Sequence, residues 1–139
     1  MSNPADSLAK LAKGYWERRL ADEPLFATLL GDRRFDDRLP DITPEGRARK
    51  EDAYESILKM CEAIPESGLS DADRLTRTAL SVDVRSVLDY SRCRLEEWTL
   101  DPLQGPQVEF ANVESYQPVR TPAEGRAMVK RWKIGRAHV

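Results

Sequence analysis

The residues whose types and spacing could do chemistry sit late in the chain. Gln104, Gln107, Asn112, Tyr116, Gln117 and Arg120 fall in Glu96–Thr121, a stretch that also carries Pro102, Gly105, Pro106 and Pro118. Amide, phenol and guanidinium groups on a proline-stiffened loop can hydrogen-bond a peptide-like ligand, and loops set on rigid scaffolds often do such work. Gln104, Gln107, Tyr116, Gln117 and Arg120 therefore form a candidate ligand-contacting loop. The competing reading is a turn that reverses the chain between helices, its glutamines satisfying backbone groups.

Other chemistries find less support. Nucleophilic catalysis needs a base, usually histidine, within reach of the nucleophile, and the only histidine is His138. A catalytic zinc site usually takes two or three histidines, so no catalytic residue and no metal ligand is assigned. The glycines form neither a P-loop nor a dinucleotide fingerprint. Asp32, Asp36, Asp37 and Asp41 lie in one short loop, but Arg33, Arg34 and Arg38 intervene and the central glycine of a calcium loop is missing. That loop reads as a surface segment with Arg–Asp pairs, pinned by Phe35 and Leu39. Cys61 and Cys93 lie on or near apolar helical stripes and read as buried free thiols. Tyr15, Trp16, Trp98 and Trp132 read as core anchors.

The elements that must position these residues are helical throughout. Leu8, Leu11, Ala12, Tyr15, Trp16 and Leu20 make one face of a first helix, capped by Asp6 or Ser7. Pro24 opens a short apolar helix through Leu25, Phe26, Leu29 and Leu30, with Gly31 at its left-handed end. Thr43 and Pro44 start a third helix with Tyr54, Ile57, Leu58, Cys61 and Ile64 as its stripe, stopped by Pro65 and Gly68. Ser70 to Asp73 is a capping signature. The helix it starts is expected to run from about Asp71 to Trp98, about 40 Å. Leu80, Val84, Val87, Leu88, Leu95 and Trp98 lie on one face of it, and Val82, Tyr90 and Cys93 widen the apolar surface. A short helix over Val108–Tyr116 follows. Thr121, Pro122 and Glu124 then cap a last one over Ala123–Trp132. The fold class expected is all-α, with about five helices.

At 139 residues the chain is one domain at most. Charged residues make 33% and the net charge is −2 with both signs interleaved, which makes no case for nucleic acid or an anionic membrane. No apolar run approaches the ~20 residues of a membrane helix. The first residues lack the basic and apolar regions of a signal peptide, so the chain as written is expected in the cytoplasm. Lys133–Val139 shows no apolar period, and Gly135 is expected to end the helix. Ile134–Val139 spells the translation of the start of a common sequencing-adapter oligonucleotide. Residues 1–132 are accordingly read as an incomplete N-terminal helical region and 133–139 as translated adapter.

A family likeness runs from about Leu8 to Trp132. It rests on Tyr15-Trp16-Glu17, Pro24-Leu25-Phe26-Ala27-Thr28-Leu29-Leu30-Gly31-Asp32, Asp37-Arg38-Leu39-Pro40-Asp41 and Leu69-Ser70-Asp71-Ala72-Asp73-Arg74-Leu75. It continues through Glu97-Trp98-Thr99-Leu100-Asp101-Pro102-Leu103-Gln104-Gly105-Pro106-Gln107 and Tyr116-Gln117-Pro118-Val119-Arg120-Thr121. These segments resemble the N-terminal region of a large bacterial family, domain of unknown function 885. The resemblance implies a largely helical protein several times longer, zinc-metallopeptidase-like, with a His-Glu stretch and Pro-Gly-His-His far downstream, and often exported or lipid-anchored. None of those metal-binding motifs occurs here. The expected function is thus a truncated N-terminal part of a zinc-dependent hydrolase, inactive alone. It would hold no cofactor itself, zinc belonging to the full-length family, and its partners would be the remainder of its own chain and a peptide-like substrate. The alternative is a small stand-alone helical interaction module without catalysis.

Overall fold

A computed structural model describes residues 3–94 and 106–136. Six α-helices form: α1 (Pro4–Asp22), α2 (Pro24–Leu29), α3 (Pro44–Glu62), α4 (Asp71–Arg92), α5 (Pro106–Tyr116) and α6 (Pro122–Arg136), with one 3-10 turn at Arg33–Phe35. Among the described residues there is no strand, so the all-α class holds. The six helices among the described residues correspond to the six helical segments read from the sequence, α2 standing apart from α1 at Glu23 (φ −122°, ψ 67°). No described helix is long and apolar enough to cross a membrane. The chain forms two compact units, one from residues 1–18 and 42–95, the other from 19–41 and 96–139.

The first unit is built on α3 and α4. Thr43 is extended, and its Oγ1 accepts from the Gly46 N–H at 3.0 Å while Pro44 takes the first helical position. These groups satisfy or remove donors that an α-helix leaves open at its start. Ser70 does the same for α4 in a reciprocal box, its Oγ accepting from the Asp73 N–H and the Asp73 carboxylate accepting from the Ser70 N–H. The stripes foreseen in both helices face each other. Tyr54, Ile57, Cys61 and Ile64 of α3 and its end meet Leu80, Val84 and Leu88 of α4, with Leu69 between them and Leu8 and Tyr15 added from α1. Tyr15 links all three helices. Its ring meets Tyr54 edge-on at 5.8 Å, and its hydroxyl donates to Asp83 at 2.5 Å, so the polar end of a large apolar group is satisfied.

Arg77 of α4 closes the far end of α3. Its guanidinium donates to the carbonyls of Cys61, Glu62 and Ile64 at 3.0–3.2 Å and to Glu66. Those carbonyls lie at or just past the last turn of α3, where helical partners run out; that of Cys61 also accepts from the Ile64 N–H at 3.3 Å. The Cys61 thiol donates to the Arg77 carbonyl at 3.5 Å, and burial pushes its titration upward.

Several expectations are corrected. Asn3, not Asp6 or Ser7, caps α1, its Oδ1 accepting from the Ala5 N–H. Trp16 is 44% exposed and Trp132 is also open, because the apolar stripe of each helix leaves them on its flank. Leu29 and Leu30 are 62% and 54% exposed: α2 turns Pro24, Ala27 and Thr28 inward, at i, i+3 and i+4. α4 stops at Arg92 instead of Trp98, since Arg94 adopts a left-handed φ of 52°, a conformation that ends helices. Trp98 lies outside the described residues. Val82, Tyr90 and Cys93 are exposed, so only Cys61 is a buried thiol. α5 starts at Pro106, ahead of the expected Val108, and α6 runs through Gly135 to Arg136.

Leu88 is buried against α3, while Leu75, on the same helix, is 71% exposed. Leu88→Ala should cost about 2–4 kcal/mol of unfolding free energy and Leu75→Ala no more than about 0.5. Urea denaturation followed by circular dichroism measures both.

Candidate functional site

The second unit is organised by a buried polar cluster. Arg131 of α6 has no exposed surface. It occupies an inward position on that helix, four residues after Ala127 and three after Met128. Its Nε donates to the Arg38 carbonyl at 2.8 Å and its Nη1 to the Gln117 side-chain oxygen at 2.7 Å. Nη2 donates to the Phe35 carbonyl at 2.7 Å and to the Thr28 hydroxyl at 2.9 Å, with the Pro24 carbonyl farther off at 3.4 Å. One guanidinium thus holds α2, the 3-10 turn, the loop after it and the end of α5 against α6.

No carboxylate in the described residues touches Arg131 directly. Its charge is balanced one hydrogen bond away. The Thr28 hydroxyl, which accepts from Arg131, lies 2.7 Å from Asp36 Oδ1 and donates to it. The Gln117 amide donates to the Asp36 carbonyl at 3.0 Å. Asp36 is itself only 3% exposed, and Arg33 reaches its other oxygen at 3.4 Å. Burial draws the guanidinium's titration down and the nearby Asp36 charge opposes this; an arginine so placed keeps its proton. The cluster is thus a closed set in which each buried polar group finds a partner, as low-dielectric surroundings require.

The candidate ligand loop divides. Gln117 is buried, with both ends of its amide spent on Asp36 and Arg131. Tyr116 is half-buried on the last turn of α5, and Arg120 is exposed at the start of the α6 cap. There the Glu124 carboxylate accepts from the Arg120 and Thr121 N–H groups, both at 2.8 Å, which holds it below the usual carboxylate range. Gln104 lies outside the described residues, and the backbone of Gln107 lies in α5. The structure therefore uses Gln117 as an internal brace, with Tyr116 half-buried and Arg120 exposed.

Sequence reasoning passed over Arg131 and Thr28 and placed Asp36 on the surface. The available signal was an arginine at the centre of the inward stripe of α6, and a threonine at the inward i+4 position from Pro24. A charged residue on an inward face needs paired acceptors, and Asp36 is the nearest acid in the loop opposite. The four-aspartate loop forms Arg–Asp pairs as expected, Asp32 taking Arg34 and Asp37 taking Arg38 and Lys130. Phe35 and Leu39 are half-buried. Asp36 is the exception, drawn inward by Thr28.

Among the described residues no three of His, Cys, Asp and Glu come together to hold a metal ion, and Asp36, the most enclosed carboxylate of the cluster, is already committed to Thr28 and Arg33. The described residues do not fit a zinc centre.

The described residues thus form a helical fold in which a buried polar cluster around Arg131 braces the backbone. Residues 24–137 match the family model described as a bacterial protein of unknown function (DUF885), and the chain belongs to that family. The match begins at α2, later than the likeness read from Leu8, and ends within residues 133–139. No curated protein and no solved structure matches the chain.

Arg131→Met should destabilise the chain by about 3–5 kcal/mol, because it strands Asp36 and several carbonyls, and Gln117→Leu by about 1–3 kcal/mol. Arg120→Ala should stay within about 0.5. Thermal and urea unfolding of the three variants checks the order. Lys130 beside Asp37 holds its carboxyl below the usual range. A lowered folded value means that stability from Asp37 is complete above the ordinary aspartate value of ~3.9 and is lost as pH falls through the folded value. Asp37→Asn should therefore flatten the acid side of the stability curve slightly, the pair being partly exposed; unfolding midpoints measured from pH 2 to 6 read this out.

Proposed function

We propose that this chain is the helical scaffold part of a zinc-dependent peptidase-like hydrolase, and that hydrolysis requires groups outside its described residues. Two things support the reading: membership of the bacterial family, and the likeness of Pro24–Asp32 and of Tyr116–Thr121 to the N-terminal region of its peptidase-like members. The single observation that carries it is the saturated Arg131 cluster, whose donors and acceptors are consumed in fastening α6 to the 24–38 segment. Such a cluster positions backbone; it has no spare group with which to activate water or a peptide carbonyl. In the assembled hydrolase Tyr116 and Arg120 would face a peptide-like substrate from the scaffold side, and zinc would be bound elsewhere.

A second reading, a stand-alone helical interaction module, is also compatible with the outward Leu29 and Leu30 at the end of α2. An exposed apolar pair of this kind suits a contact with another chain as well as with the rest of a larger enzyme.

The first of two measurements decides between them, and the second tests that neither carries catalysis within the chain. The genomic frame read past codon 132 should encode a His-Glu motif, and a stop codon without one overturns the hydrolase reading. The purified, zinc-loaded chain should cleave no peptide above the buffer rate; measured turnover would show that the catalytic groups lie within it.

A further inference from the structure

We infer that the hollow between the 3-10 turn and α6 is a binding site for a small dianion bearing phosphate or paired carboxylates. Arg33, Arg34 and Arg38 line it from the turn and the loop, Arg126 and Lys130 from α6, and Asp37 is the single carboxylate in the lining. This concentration of positive charge sits on a chain of net charge −2, so it is local. Its footprint is a few side chains, which suits a small anion and not a nucleic-acid strand.

The cations are held in place before any ligand arrives. Arg131 ties the carbonyls of Phe35 and Arg38 to α6, which fixes the backbone carrying all three arginines. The Arg34 and Arg38 guanidiniums rest over the Phe35 ring at 5.2 and 5.6 Å, a cation–π arrangement that limits their freedom. Asp32 takes Arg34 from outside the hollow, and the long 3.4 Å contact to Asp36 leaves most of the Arg33 donors available. Arg126 projects from α6 one turn before Lys130, and no described carboxylate pairs with it among the ion pairs of the structure. Guanidinium forks match the paired oxygens of phosphate and carboxylate.

Asp37 already occupies part of the hollow as an internal anion, bonded to Lys130 at 2.5 Å and near Arg38 at 3.6 Å. An entering dianion must compete with it. Removal of that competitor therefore gives the test its sign. Inorganic phosphate is titrated into the full chain at low ionic strength, followed by nuclear magnetic resonance shifts of the backbone, with succinate in a parallel titration to distinguish phosphate from carboxylate preference. Saturable shifts centred on residues 33–38 and 126–130 are expected. Binding should weaken about fivefold or more in Arg126→Gln and tighten in Asp37→Asn, with circular dichroism unchanged in both. Absence of saturable shifts, or equal affinity in Arg126→Gln, overturns the assignment.

Discussion

The second unit depends on one guanidinium out of reach of water. Arg131 satisfies carbonyls at Phe35 and Arg38, the hydroxyl of Thr28 and the amide of Gln117. Three of those partners, Thr28, Phe35 and Arg38, lie 93 to 103 residues away in sequence, so a single side chain supplies the long-range closure that short helices alone cannot. α2 has six residues, too few to persist without tertiary support. Burying a charge is costly. Here the cost is offset because Asp36 is drawn inside by Thr28, and because carbonyl dipoles surround the cation.

Arg77 in the first unit works by the same physics at lower burial. Its planar fork collects the open carbonyls at the end of α3 and reaches Glu66 in addition. In both places arginine is used for its several rigidly spaced donors, which lysine could not reproduce. The remainder of the first unit is ordinary side-chain packing: two amphipathic helices, capped at their starts, with Tyr15 filling the angle left by α1. Its stability resides in apolar area, that of the second unit to a larger extent in matched polar groups.

This difference bears on function. A cluster that is closed on itself confers rigidity, and rigidity is what a surface needs if it is to present charges in fixed positions. The arginines around Phe35 are outward extensions of the backbone that Arg131 immobilises. The buried half of the arrangement thus acts as support and the exposed half as the part able to meet another molecule.

How much was legible beforehand follows from the range of the interactions. The sequence by itself determined the all-α class, the Thr43, Ser70 and Thr121 starts, the Gly31 stop and the inward stripes of α3 and α4. Each depends on residues three or four apart, whose relation the helix geometry dictates. The tertiary structure alone decided that Gln117 is buried between Asp36 and Arg131, that Asp36 is buried while Asp37 is partly exposed, and that Leu29, Leu30 and Trp16 face outward. It also stopped α4 at Arg92, through the left-handed backbone at Arg94, and carried α6 past Gly135. The candidate loop around Gln117 was sought for its composition, and composition reports which hydrogen bonds a residue can make. Which ones it does make was set by Arg131, fourteen residues later, and by Asp36, eighty-one residues earlier, separations at which no local periodicity operates.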